Sequence, residues 1–311
     1  MNDYSNLSFL KRLYIYQKER FPLLLNLVSV SVFTFSAVSY SIICGGNSDF
    51  ITIKDFVVGV FVTYTLFMLV RIFDEHKDRV EDAKFRSYLP VPRGVVSLSE
   101  LRNVGILIGV LQITAILVFQ PSMIWLQLMV LAYLSLMAVE FFVPKYLKSR
   151  QILYITSHMF IIPLIDIYSS GLDWNLKGES PHIGLLFFFV VSYMNGLVLE
   201  FGRKMRSKEN EEVGVVSYTG LYGLKRATIY WMLLLFVTYL SAVLAANFVG
   251  YGMQGFLVLT VLFGLCVVPG FLFINKKDRK SSKLIEISSG IWTVAMYLSL
   301  GAIPMLENFF N

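Results

Sequence analysis

Charge is scarce in this sequence. Only 15% of its 311 residues are Asp, Glu, Lys or Arg, against 56% that are hydrophobic, where a soluble domain carries about 25% charged residues. A water-soluble fold with that balance would leave large apolar patches exposed, so the composition implies that lipid covers that surface. Cysteine is scarcer still. Cys44 and Cys266 are the only two, both in or beside apolar runs, which argues against a disulfide framework and excludes a cysteine metal site. Low-complexity tracts, a Gly-rich nucleotide loop and a basic arm are all missing, so the net charge of +6 does not point to nucleic acid. The first 20 residues carry Asp3 and Glu19 without an apolar core, unlike a cleavable signal peptide.

What is abundant is long charge-free runs, such as Gly105–Phe119, Gly184–Leu199 and Ile229–Ala246. A hydrocarbon core about 30 Å thick needs about 20 such residues per helix. Spans are expected over 21–43, 53–73, 98–119, 122–143, 151–169, 182–201, 226–247, 253–274 and 284–306. The runs are continuous rather than alternating, which selects helices over a closed barrel. The expected fold is therefore all-α, a polytopic membrane protein with one domain, 1–311, of about nine transmembrane helices. Of the 27 Lys and Arg, all but Lys54 and Lys177 fall in the amino-terminal segment and alternate loops, so the amino terminus is expected in the cytoplasm. In a bacterial cell the membrane would be the inner, plasma membrane. Phe9–Phe21 mixes Leu10, Leu13, Tyr14, Ile15 and Tyr16 with Lys11, Arg12 and Lys18; it reads either as an interfacial amphipathic helix or as a basic topogenic tail. Pro163, Pro269 and Pro304 are expected to kink their helices.

The first informative loop is Arg71-Ile-Phe-Asp-Glu-His-Lys-Asp-Arg-Val-Glu-Asp82. If the second helix continues through it, Glu75, Asp78 and Asp82 share a face at i, i+3 and i+7, with Asp74 beside them. Carboxylates so placed repel one another, and a divalent cation with a taste for hard oxygen ligands, Mg²⁺ above all, removes that penalty. Spacing alone leaves a second reading equally open, a solvated loop whose charges pair internally through Lys77, Arg79 and Glu81.

Asp74-Glu75-x-x-Asp78-x-x-x-Asp82, followed by Pro90-Val-Pro-Arg-Gly-Val-Val-Ser97, resembles the first motif of the UbiA superfamily of intramembrane prenyltransferases. That motif is Asn-Asp-x-x-Asp-x-x-x-Asp, with an Arg/Pro-rich segment ahead of the third helix. Asp replaces Asn and Glu replaces Asp here, and both changes keep or add oxygen ligands. The family's second motif, Asp-x-x-x-Asp, falls at the end of the sixth helix. There this chain has Glu200-Phe-Gly-Arg203-Lys204, similar to an outlying bacterial branch with a Glu-x-x-Arg-Lys version. Lys204 stands where a second aspartate is expected, and Glu209, Glu211 or Glu212 could supply the missing carboxylate. Glu200, Arg203 and Lys204 share one helix face. Their bland reading is a local salt bridge, and their functional reading, with Arg206, is a grip on phosphate oxygens.

The resemblance implies an Mg²⁺-dependent transfer of an isoprenyl group from a prenyl diphosphate to a hydrophobic acceptor, aromatic or lipid, within the bilayer. It implies metal ligands among Asp74, Glu75, Asp78, Asp82 and Glu200, with Asp78, Asp82 and Glu200 catalytic. Arg86, Arg93, Arg203, Lys204 and Arg206 are the diphosphate-binding candidates. Asn26 and His158 are candidates for the acceptor pocket, His158 also being readable as an interhelical hydrogen bond. Asp166 lies deep and away from the motifs, and Glu140 is placed to pair with Lys145 or Lys148. A cyclase of the same fold, a non-catalytic scaffold and a transporter are the competing readings. Acidic clusters on one face rather than at the midplane count against transport.

Overall fold

Thr52, Ser97 and Asp278 set where three of the long helices begin. The Thr52 hydroxyl accepts the Asp55 N–H at 3.1 Å, and the Asp278 carboxylate accepts the Ser281 N–H at 2.8 Å. Ser97 and Glu100 exchange bonds in a capping box, 2.8 Å one way and 3.2 Å the other. Each cap satisfies an N–H that the first helical turn leaves without a partner. The structure, a computed structural model, describes residue 4 and residues 6–310; the expectations that fall on residues 1–3, including Asp3, lie outside the described residues.

Among the described residues there are helices and no strands. The chain runs through α1 (Phe9–Arg20), α2 (Leu23–Cys44), α3 (Ile53–Lys77), α4 (Arg79–Phe85), α5 (Leu98–Phe119), α6 (Ile124–Ala138), α7 (Pro144–Lys148) and α8 (Gln151–Met159). It continues through α9 (Ile161–Trp174), α10 (Leu185–Arg203), α11 (Tyr218–Tyr222), α12 (Leu224–Phe248), α13 (Gly252–Lys276), α14 (Arg279–Tyr297) and α15 (Ile303–Phe310). Nine helical segments of the described chain are long and apolar enough to cross a membrane, with α8–α9 forming one span and α14–α15 another. The protein is a multi-pass integral membrane protein.

Most span limits agree with hydropathy to within a few residues, and the differences have local causes. The fourth span stops at Ala138 instead of 143, because Glu140, Phe141 and Phe142 all take left-handed backbone angles that no α-helix tolerates. The ninth begins at Arg279 instead of 284, under the Asp278 cap. In the fifth, Pro163 has no N–H to offer the Met159 carbonyl one turn back, and the helix breaks at Phe160. Near Pro304, a π-helical segment over Leu298–Ala302 separates α14 from α15. Pro269 is accommodated inside α13 without a break.

Packing is of the membrane type. Outward faces carry exposed Leu, Val, Phe and Ile, while the interior holds small or polar residues that let helices approach and bond. Gly301 shows the first: a Cβ there would lie 2.2 Å from the Ser36 carbonyl oxygen of α2. Gln112 shows the second, donating to Thr65 at 2.8 Å and accepting from Gln127 at 3.0 Å, which ties α3, α5 and α6. The carboxyl ends of α3, α10 and α13 and the amino ends of α5, α12 and α14 gather the charged loops at one end of the bundle.

Candidate active site at the charged end of the bundle

α3 does not continue through the acidic motif. It ends at Lys77, Asp78 caps it, and α4 starts afresh at Arg79. The break takes Asp82 out of the register that a continuous helix would give it with Glu75 and Asp78. Glu75 is 1% exposed and lies 2.7 Å from the Arg20 Nε and 3.1 Å from an Arg71 nitrogen. Asp74 pairs with Lys77 at 3.2 Å. Asp82 is 2% exposed, and although the Arg86 Nε is 3.2 Å away, neither of its carboxylate oxygens receives a hydrogen bond. Burial pushes the Asp82 carboxyl above the usual carboxylate range, with Arg86 opposing the shift and Glu75 adding to it. Burial likewise pushes Asp78 up, Lys77 opposes it, and the neighbouring charges of Asp74 and Asp82 reinforce it.

Among the described residues no three His, Cys, Asp or Glu side chains converge on a single metal position. Mg²⁺ does not require that. It is usually held by one or two carboxylates, with substrate phosphates and water completing the shell. A buried carboxylate with both oxygens lacking donors is costly unless something positive meets it. Asp82 has one guanidinium nearby, Arg86 at 3.2 Å, which gives it no hydrogen bond; with Asp78 and Asp74 close enough to feel its field or each other's, it has the charge and free oxygens to suit a hard divalent cation. Glu75 fits less well, since two guanidinium groups already neutralise it.

At the end of α10, Glu200 is buried and paired with Arg203 and, at 2.7 Å, with Lys204. Arg203 keeps its side chain 60% exposed, so it is free to meet a second anion. The Lys204 ammonium lies 5.9 Å from the centre of the Tyr218 ring, which stacks on Phe201 at 3.9 Å. The three glutamates considered for the missing carboxylate are not equivalent. Glu211 accepts from the Ser217 and Thr219 hydroxyls at 2.6 and 3.0 Å and organises its own loop. Glu212 is 2.9 Å from Arg206 and accepts the Tyr88 hydroxyl at 3.1 Å. Glu209 is exposed on a short 3₁₀ turn.

The Tyr88–Glu212 bond links the two charged loops, and Gly214 seals the junction. Its φ is +75°, and a Cβ there would lie 2.4 Å from the Phe85 ring. Asp74 at the end of α3 lies within electrostatic reach of Arg203 at the end of α10. Lys77 sits 5.6 Å from the Tyr154 ring centre, and Tyr154 stacks on His158 at 4.1 Å. The His158 Nδ1–H donates to the Tyr154 carbonyl at 2.8 Å, the only role open to a nitrogen facing a carbonyl. That leaves Nε2 as an acceptor, buried without a partner. His158 is thus held within its own helix, not between helices.

The remaining candidates have partners of their own. Arg93 pairs with Glu19 at 2.7 Å and donates to the Tyr88 carbonyl at 2.9 Å. Arg86 stays with Asp82. The Asn26 amide donates to the Pro22 carbonyl at 2.9 Å on a half-exposed turn. Glu140 is 3.8 Å from Lys148. Asp166 is buried deep in the bundle with Ser192 and Tyr297. Lys77 pairs with Asp74 as the internally paired reading of the acidic loop expects, whereas Tyr154 and Tyr218 carry no signal of their own in the sequence. The i, i+4 spacing of Tyr154 and His158 is the one local signal that joins either of them to a candidate.

A model of the UbiA prenyltransferase family matches residues 30–296. A search of curated protein sequences finds no match. Among solved structures, a digeranylgeranylglyceryl phosphate synthase in membranes superposes with a TM-score of 0.62 at 13% identity, over 94% of this chain and 99% of that one. The apo structure of a UbiA homologue from Aeropyrum pernix K1 gives a TM-score of 0.63 at 13% identity, over 90% and 97% of the two chains. At that identity the superpositions speak for the fold.

Proposed function

The chain belongs to the UbiA prenyltransferase family, and from that premise we propose that it transfers an isoprenyl group from a prenyl diphosphate to a hydrophobic acceptor, aromatic or lipid, inside the membrane. The observation that carries this reading is the facing of two opposite charge sets at one end of the bundle. Asp74, Asp78 and Asp82 lie at the end of α3 and start of α4, and Arg203 and Lys204 at the end of α10. A diphosphate head belongs at such an end and its apolar tail among the helices.

Asp82, Asp78 and Asp74 are the residues that would hold Mg²⁺ against the diphosphate oxygens. When bound, the ion would supply positive charge to the diphosphate as it leaves. Arg203 and Lys204 meet the same developing charge from the α10 side, where fixed cations cost no reorganisation at the moment of reaction. Glu200 positions those two cations by pairing with both; this assigns it a holding role in place of the ligand role implied by the family's aspartate. As the carbon–oxygen bond to the diphosphate breaks, the acceptor forms the new bond to the allylic carbon. The proton the acceptor loses passes to the free Nε2 of His158, whose tautomer is fixed by the Tyr154 carbonyl.

Asp82→Asn tests the assignment. It keeps the shape of the side chain and removes its charge, so turnover with a prenyl diphosphate should fall by about 10²-fold or more while the protein elutes as folded in detergent. Turnover at the parental level would remove Asp82 from the site.

A further inference from the structure

Lys77 is the last residue of α3 and stands inside the acidic motif, between Asp74 and Asp78 in sequence. Its ammonium is 3.2 Å from Asp74, its charge is felt at Asp78, and the Tyr154 ring centre lies 5.6 Å away. The side chain is 11% exposed and borders a small cleft with Val70, Phe73, Leu134 and Met137. An ammonium set between a carboxylate and an aromatic face, on a stem laid along apolar residues, is a fixed charge. A solvated surface lysine is not.

The other motif carboxylates are matched in the same way. Arg20 and Arg71 lie 2.7 and 3.1 Å from Glu75, and Arg86 lies 3.2 Å from Asp82. Arg203 and Lys204 lie 2.5 and 2.7 Å from Glu200. Asp78 has no ion pair within 4 Å among the described residues. Six cations therefore stand against five carboxylates, an excess of one positive charge before any metal binds. A prenyl diphosphate carries about three negative charges near neutral pH, because its terminal phosphate titrates as a phosphate monoester does. One divalent ion completes that balance. Two would leave a surplus of positive charge at the edge of the hydrocarbon, where uncompensated charge is costly.

Geometry gives that one ion its place. Asp78 caps α4 and Asp82 follows one turn later, so the two side chains are neighbours, and neither Asp82 oxygen receives a hydrogen bond. We propose that Lys77 takes the place of a second metal ion. The site binds one Mg²⁺, on Asp78 and Asp82, and Lys77 stays on Asp74 and meets the diphosphate oxygens with the donors that Asp74 leaves free. Two-ion sites hold their metals about 3.5–4 Å apart; here an ammonium stands in the second position. Lys77 in this role presupposes the transferase reading and narrows it, since Asp74 belongs to Lys77 and not to the metal's shell.

The test is Mn²⁺ binding to the full chain in detergent, followed by electron paramagnetic resonance and calorimetry. Farnesyl thiolodiphosphate serves as the ligand, because its carbon–sulfur bond resists ionisation. One Mn²⁺ per chain should bind together with it and give the hyperfine spectrum of an isolated ion. In Lys77→Met, or Lys77→Gln if the first does not fold, affinity for the thiolodiphosphate should fall by about tenfold or more at low Mn²⁺. Excess Mn²⁺ should restore it, as a second ion, magnetically coupled to the first, binds at Asp74. Lys77→Arg keeps the charge and should stay at one ion. Two ions in the parental chain, or unchanged affinity in Lys77→Met, would overturn the assignment of Lys77 and leave the transferase reading standing. A loss that excess Mn²⁺ does not restore would also overturn it, and would reduce Lys77 to a packing role. No Mn²⁺-dependent binding of the thiolodiphosphate to the parental chain would overturn the transferase reading, and the role of Lys77 with it.

Discussion

Glu75 meets Arg20 at 2.7 Å across the junction of α1 and α3, one residue from the acidic side chain of Asp74. We infer that the pair makes Glu75 a structural clamp in place of a metal ligand, with Arg71 completing it at 3.1 Å. Glu75→Ala would leave two guanidinium groups facing one another in a buried place. Removing one partner of such a pair costs about 3–5 kcal/mol, so thermal unfolding in detergent should shift down markedly. Mg²⁺ affinity, measured on the surviving folded fraction by calorimetry, should change little. A large loss of affinity with unchanged stability would return Glu75 to the metal.

Arg203 and Lys204 should separate from the carboxylates in kinetics. Each offers the diphosphate one charge-assisted contact, worth about 1.5–3 kcal/mol. Lys204→Ala and Arg203→Ala are expected to lower kcat/KM for the prenyl diphosphate by about 10- to 150-fold, with the Mg²⁺ concentration dependence unmoved. Glu200→Gln, which frees both cations, should produce a similar loss through misplacement. Steady-state kinetics across an Mg²⁺ series distinguishes these from a ligand's loss, which would shift the metal dependence itself.

Asp78 and Asp82 titrate above ordinary carboxylates because burial disfavours their charged forms. A folded value raised above the unfolded one means that the native state holds these protons more tightly. In EDTA the contribution to stability is therefore fully present below the ordinary carboxylate value, and is lost as pH rises through the raised native value. Mg²⁺ reverses the sign, since it binds the deprotonated carboxylates and its affinity falls as protons compete. Melting temperatures across pH, with Mg²⁺ and with EDTA, should diverge most on the alkaline side of that window. In Asp78→Asn, Asp82→Asn the divergence should vanish.

Gly214 holds the loops together by having no side chain. At φ +75° against the Phe85 ring, Gly214→Ala pays the left-handed penalty of about 1–2 kcal/mol and pushes the two loops apart. Activity should fall more than global stability does, because α3 and α10 themselves are untouched. Hydrogen exchange should report the change locally, in the loops after α4 and α10. Protection unchanged in those loops would show that the junction does not depend on Gly214.

The spans were legible because a 20-residue apolar run has few alternatives in lipid, whereas the Asp278 cap lies outside the apolar run, so hydropathy starts the ninth helix at 284 and not at Arg279. The break in the fifth span was legible from Pro163. The break at Asp78 was not, because a charged segment at a helix end carries no proline or glycine to announce it. The same limit hid Tyr154, which meets Lys77 from α8 across many intervening residues. The left-handed run at Glu140–Phe142 has no glycine or asparagine to announce it. The site candidates on α3 and α10 come from their spacing together with the family resemblance. The partners of Arg93 and Asn26, Glu19 and the Pro22 carbonyl, are ones that motif spacing does not specify.

The most direct measurement is diphosphate release by the purified chain from geranyl, farnesyl and geranylgeranyl diphosphates, with Mg²⁺ and with EDTA, against a panel of aromatic and lipid acceptors. Release should require Mg²⁺ and be matched by an equal amount of a prenylated acceptor. Release that persists in EDTA, or Mg²⁺-dependent consumption with no acceptor bonded to the prenyl chain, would contradict the transferase reading.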